Sequence, residues 1–172
     1  MYVYDPERHE FSRKMSGVAY RKIYVPVLRA VSLERMDSDS GGPTDPDLRG
    51  TDVVLILRSG RRVTVAERFR KHLYLGYNDV TLRYCSLATG RKLEVVGLNA
   101  QYMLYAVANM NETDFLRWDL IYGPKLLEIL ETLKPKPISN VNGSSRFVAV
   151  PRGVLFNAGA VAASSHPQIR VS

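Results

Sequence analysis

Apolar and polar positions alternate along this chain with spacings that name its elements. Phe11, Met15, Val18, Ala19 and Ile23 recur every three or four residues, the period of one helical face, with Arg8, Arg13, Lys14, Arg21 and Lys22 largely on the other side. Asp5-Pro6-Glu7 supplies an N-cap, a proline at the first helical position and an acidic first turn, and Pro26 is expected to end or kink the helix. Val31 to Met36 reads as a strand. Asp52 to Leu57 is β-branched and almost continuously apolar, which predicts a strand covered on both faces. Arg58-Ser59-Gly60-Arg61 is a turn, and the strand after it alternates clearly. Val63, Val65, Glu67 and Phe69 share one face, with Thr64, Ala66, Arg68 and Arg70 on the other.

The flanking segments follow the same logic. Asp37 to Asp47 is a loop by its Asp, Ser, Gly and Pro content; its acids do not make an EF-hand, because Gly41 and Leu48 fall where ligands are required. Tyr74 to Asn78 is a turn-rich link into a strand from Asp79 to Cys85, and Asp79 is either an Asx-type turn residue, the preferred reading, or a third acid for the Asp52 site if the turn folds back over it. A turn at Ala88 to Arg91 leads into Lys92 to Leu98, whose pattern decides for neither helix nor strand. Ala100 to Ala108 is a buried strand, Asn109 to Thr113 a turn, and Asp114 to Ile121 another strand. A helix then runs from Gly123-Pro124 to Leu133 and stops at Lys134-Pro135-Lys136-Pro137. Arg146 to Phe156 reads as an added strand and turn. The division expected is an α/β core over residues 1–137 and a C-terminal extension over 138–172, packed on the same domain and ending in a loose tail.

Within this pattern Glu67 is out of place. A carboxylate on an apolar face needs a charged partner such as an arginine, or a metal ion shared with another acid. Counting back from the turn brings Asp52 near the level of Glu67 to Arg70, so the two acids are expected to converge. Charge adds a direction: 24 Lys and Arg against 17 Asp and Glu give +7, which favours an anionic partner, nucleic acid first. Arg58 to Lys71 carries six basic residues and one acid, whereas Asp37 to Asp52 carries five aspartates and one arginine. Tyr74, Tyr77 and Tyr84 are interleaved with Arg70, Lys71, His72 and Arg83, a composition that suits stacking on unpaired bases. One cysteine, Cys85, excludes an internal disulfide and is expected to be a small buried residue; with no apolar run long enough to span a bilayer, the sequence reads as soluble and cytoplasmic.

Taken in order, the helix, the strand, Gly50-Thr51-Asp52 opening a second strand, the hairpin, and Glu67-Arg68-Phe69-Arg70 on a third strand resemble the PD-(D/E)XK nuclease superfamily, in its divergent phage-type and prokaryotic members. Asn78 to Tyr84, the strand around Tyr102 to Tyr105, and Phe115 to Ile121 followed by a helix extend the resemblance over roughly residues 5 to 135. It implies an α/β fold with a restriction-endonuclease-like αβββαβ core, a mixed central sheet flanked by helices. It also implies that Asp52 and Glu67 hold Mg²⁺ or Mn²⁺ and that a basic residue beside them handles phosphate. Glu7 or Glu10 on the first helix is a further candidate ligand, as some members use one there. The family's lysine is not matched: Phe69 stands two residues after Glu67, and Arg68 and Arg70 are the neighbouring cations. In the register Ala66-Glu67-Arg68 the acidic position is vacant and Arg68 fills the lysine position, where it orients phosphate but is no base.

Two functions follow. One is a metal-dependent nuclease cleaving DNA phosphodiesters, with Asp52, Glu67, Arg68 and Arg70 catalytic and Arg58, Arg61, Arg62, Lys71 and His72 holding nucleic acid; small nucleases of this type often need a second copy, so a homodimer belongs to this reading. The other is a catalytically inactive module with the same frame that binds nucleic acid or a protein. Under it Glu67 pairs with a neighbouring arginine.

Overall fold

The structure, a computed structural model, describes residues 6–36, 51–86, 98–140 and 145–166. The cap at Asp5, the acidic loop expected over Asp37 to Asp47, the turn at Ala88 to Arg91, all but the last residue of the segment after it, and the end of the expected tail lie outside the described residues, as does the side chain of Cys85.

The opening helix α1 (Pro6–Ala19) passes into a π-helical turn at Tyr20–Tyr24 and a further helical turn α2 (Val25–Leu28). The helix therefore runs through Pro26 and ends at Arg29, whose φ of 58° is left-handed. The π-turn accounts for this: proline offers no N–H to an α-helical acceptor, and the wider turn, in which the Val25 N–H donates to the Tyr20 carbonyl, sets the backbone up just before it.

Among the described residues nine strands follow: β1 (Ala30–Arg35), β2 (Val53–Leu57), β3 (Arg62–Arg70), β4 (Asp79–Ser86), β5 (Tyr102–Ala108), β6 (Phe115–Tyr122), β7 (Ile138–Ser139), β8 (Ser145–Pro151) and β9 (Val161–Ser164). Helix α3 (Gly123–Leu133) follows β6, and α4 (Arg152–Asn157) follows β8. Among the described residues the strands form a six-stranded sheet in the order β1-β2-β3-β5-β6-β9 and a three-stranded sheet in the order β4-β8-β7. In the larger sheet β3 and β5 are parallel and the other neighbours antiparallel, so the sheet is mixed and the class is α/β. The β2–β3 hairpin turns where the sequence places it, with Gly60 at φ 83° and the Leu57 N–H donating to the Arg61 carbonyl.

Each face of the large sheet has its own core. On one, Ala19, Ile23 and Tyr24 of the first helix meet Val53, Leu55, Val63, Val65, Leu104, Ala106 and Leu120. On the other, Ala66, Met103, Tyr105 and Ile121 pack with Val80, Leu82, Val148 and Val150 of the small sheet and with Leu126, Ile129, Leu130 and Leu155 of α3 and α4. Each fully buried Leu or Ile contributes about 1.5–3 kcal/mol, so both faces help to hold the sheet. The continuous apolarity of β2 has its cause here, since Val53, Val54 and Leu55 are all buried.

Two expectations need revision. The second face is covered by a small sheet as well as helices, whereas helices alone were anticipated. The described part of the β3-to-β5 crossover holds a 3₁₀ turn (His72–Tyr74) and β4, which leaves the large sheet to pair with β8; residues 87–97 are not described. The extension after Pro137 supplies β7, the middle strand β8 and the edge strand β9, and Arg146 to Phe156 becomes strand and helix where strand and turn were anticipated. No helix among the described residues is long and apolar enough to cross a membrane.

Candidate functional site

Asp52 and Glu67 are neighbours across the β2–β3 pair. The register pairs Val53 with Val65, which sets Asp52, just before β2, beside the β3 backbone at Ala66 and Glu67. The Asp52 N–H donates to the Val65 carbonyl, and the Glu67 N–H donates to Asp52 Oδ2. The contact therefore joins the carboxylate of one acid to the backbone of the other.

The Glu67 carboxylate points to the α1 face, and its side chain is only 3% exposed. Ser16 Oγ donates to Oε1 over 3.0 Å, and the Tyr24 hydroxyl donates to the same oxygen over 2.8 Å. Arg35 Nη1 stands 3.7 Å from Oε2, an ion pair longer than a hydrogen bond. Strand geometry brings Arg35 there: it sits opposite Val53 on β1, on the face that also carries Leu33. The helix supplies the hydroxyls through Ser16 on α1 and Tyr24 in the π-turn, both fully buried or nearly so. Burial pushes the Tyr24 phenol pKa up, and the negative charge and hydrogen bond of Glu67 push it further, so the ring stays a neutral donor.

The remaining sequence candidates fall into separate places. Arg68 lies on the opposite face of β3 from Glu67, by the alternation of the strand, as does Arg70. Arg70 ends the strand and lays its guanidinium carbon 3.9 Å above the centre of the Tyr74 ring. Arg58 and Arg61 are exposed at the hairpin, and exposed Arg62 stands 3.8 Å from Glu34. Lys71 and His72 lie at the other end of β3, about 30 Å from Arg62 at 3.3 Å per residue. The six cations that are continuous in sequence are thus divided between the two ends of one strand. Glu7 and Glu10 are exposed on α1, and α1 reaches Glu67 through Ser16. Asp79 opens β4 opposite Pro151, in the sheet that covers the other face. Tyr84 packs against the core there.

Mg²⁺ and Mn²⁺ require about six hard oxygen ligands in an octahedral arrangement. Two carboxylates and two hydroxyls are hard oxygens of the right kind, but Oε1 already accepts two O–H donors and Oε2 faces a guanidinium. As arranged, these residues do not fit an octahedral cation. Among the described residues no three of His, Cys, Asp and Glu come together.

A second polar cluster escaped the sequence reading. Arg152, at the start of α4, donates from Nε to Asp119 Oδ2 over 2.6 Å and from Nη2 to Oδ1 over 2.7 Å, a bidentate pair with both side chains almost fully buried. Ser164 Oγ adds a 2.7 Å bond to Asp119 Oδ1. Buried Arg117 donates to the carbonyls of Leu75, over 3.2 Å, and Tyr77, over 2.7 Å. The available signal was Arg117 and Asp119 alternating with Ile121 on one strand face, the same signal that exposed Glu67. Comparison with protein-family models and with curated proteins finds no match to this chain.

Proposed function

We propose that the chain is a nucleic-acid-binding protein on a restriction-endonuclease-like frame, in which the Asp52–Glu67 pair anchors the first helix to the sheet and does not cut the polymer. The observation that carries this is the state of Glu67: buried, bonded by Ser16 and Tyr24, and countered by Arg35. A carboxylate so satisfied fixes three elements to one another, and its side chain is withdrawn from the surface where a phosphodiester would lie. The order helix, three antiparallel strands and a later strand parallel to the third supports the frame. The net charge of +7 supports an anionic partner, DNA first.

One observation favours a second reading, Mg²⁺- or Mn²⁺-dependent cleavage of DNA: the Asp52 carboxylate lies against the Glu67 backbone, so the two acids that the resemblance singles out are neighbours. In that reading Arg35 and the two hydroxyls must withdraw from Glu67 first. Plasmid, linear and branched DNA incubated with either ion, alongside Mn²⁺ calorimetry, separates the two. The proposal expects no cleavage, no heat of Mn²⁺ binding, and DNA binding that weakens by roughly a thousandfold between 50 and 200 mM salt. Cleavage abolished in both Asp52→Asn and Glu67→Gln would replace it with the second reading. No binding of DNA at either salt concentration would point to a protein partner.

A further inference from the structure

We infer that His72–Tyr77, the link between β3 and β4, is a preformed platform on which unpaired bases of a single-stranded nucleic acid stack, with Arg70, Lys71 and Arg8 beside it for the phosphates; this rests on the nucleic-acid reading above. The link is unusual in what it exposes. Leu73 is 73% exposed, Tyr77 62%, and Tyr74 and Leu75 41% each. Apolar side chains concentrated in so short an exposed segment mark a surface that meets something.

The segment is also held in shape. Its backbone closes on itself through Tyr74 N–H to the Lys71 carbonyl, Leu75 N–H to the His72 carbonyl and Tyr77 N–H to the Tyr74 carbonyl. Beneath it, the buried Arg117 guanidinium spans the carbonyls of Leu75 and Tyr77, two residues apart. Burying a guanidinium is costly, and the return here is a fixed loop. Arg70 lies over one face of the Tyr74 ring, and the Tyr74 and Tyr77 rings sit 6.1 Å apart at a 39° tilt. The rings are thus positioned before a ligand arrives, which reduces the ordering penalty of binding.

Charge favours phosphate on the Tyr74 side. A cleft of about 250 Å³ opens beside Tyr74 between Arg8, Phe11, Phe69, Arg70, Lys71 and Glu7, three cations to one acid, whereas the adjoining cleft, which shares Glu7, Phe11 and Lys71, adds Lys14 with Glu10 and Glu112 and lies away from the ring. Exposed rings interleaved with cations match the alternation of base and phosphate in a single strand. A duplex keeps its bases stacked inside and offers these rings little.

The test uses the full chain and a fluorescein-labelled oligothymidylate of about 12 nucleotides, set against a duplex of equal length at about 100 mM salt, read by anisotropy. The expected result is tighter binding of the single strand, weakened about five- to a hundredfold by Tyr77→Ala and by Tyr74→Ala, largely retained in Tyr74→Phe, with duplex binding unchanged. Tyr77→Ala leaves the Arg70–Tyr74 contact intact, and unchanged melting temperatures exclude a folding defect. Single-strand binding that survives both alanine variants overturns the platform and leaves the nucleic-acid reading standing. Binding of neither oligonucleotide removes both. Tyrosine-dependent binding to anionic vesicles in place of DNA overturns the platform in favour of a lipid surface.

Discussion

The backbone N–H of Glu67 donates to the side chain of Asp52, which ties the carboxylate of one acid to the backbone of the other. Asp52 thereby extends the β2–β3 pairing past the end of β2. Replacing it with Asn keeps an acceptor and is expected to change stability by less than about 1 kcal/mol, whereas Asp52→Ala leaves the Glu67 N–H without this partner and lowers stability by about 1–3 kcal/mol. Urea midpoints that coincide for the parent and both variants would remove the structural role assigned to Asp52.

Tyr24→Phe takes one donor from a buried carboxylate, and a loss of about 1–3 kcal/mol is expected near neutral pH. The sign of the pH effect follows from the raised phenol pKa. A group whose pKa is higher folded than unfolded gives stability that is complete below the unfolded value, about 10 for tyrosine, and is lost as pH rises beyond it. The parent is therefore expected to lose stability steeply above about pH 10 and the variant less steeply. Equal alkaline slopes in denaturation series would contradict the burial of an un-ionised Tyr24.

Arg152→Ala strands Asp119 in the core, and about 3–5 kcal/mol is the expected loss. Replacing both partners with apolar residues, Arg152→Met with Asp119→Leu, is expected to be much milder than either single change. A double-mutant cycle measures this, and additive losses would mean that the two residues act independently.

Gly123 and Gly76 make a paired comparison. A methyl group at Gly123 would fall 2.2 Å from the Ala100 carbonyl oxygen, which belongs to backbone and cannot swing aside, while nothing stands within 4 Å of the equivalent position at Gly76. Gly123→Ala is expected to destabilise by about 1–3 kcal/mol and Gly76→Ala by well under 1. Matching melting curves for the two would refute the close approach of α3 to the Ala100 backbone.

The hairpin was legible because its information is local. Gly60 fixes the turn, the turn fixes the register, and the register fixes Asp52 beside Glu67. Alternation also showed that Glu67 faces apolar neighbours and therefore needs a partner. It could not say that Ser16, Tyr24 and Arg35 provide one, because a period reveals a face and not what lies across from it. The sheet that β4 joins was hidden for a related reason. Val80 and Leu82 suit either sheet, and the choice rests with Val148 and Val150, which lie far along the chain. The Arg152–Asp119 pair, separated by 33 residues, was likewise out of reach of local spacing. Charge density misled in its own way: it counts residues along a chain, and a nine-residue strand carried the two halves of one basic run apart.

The late position of β8 and β9 in the chain has a consequence for synthesis. Emerging from a ribosome, the chain presents β4 well before its only described partner, and β6 before the strand that covers its edge. Until residues 145–164 appear, Val80 and Leu82 lack the strand they pack beside, and Asp119 lacks its arginine. Residues 145–164 therefore supply, after the rest of the described core has been made, both the strand that covers Val80 and Leu82 and the arginine that neutralises Asp119.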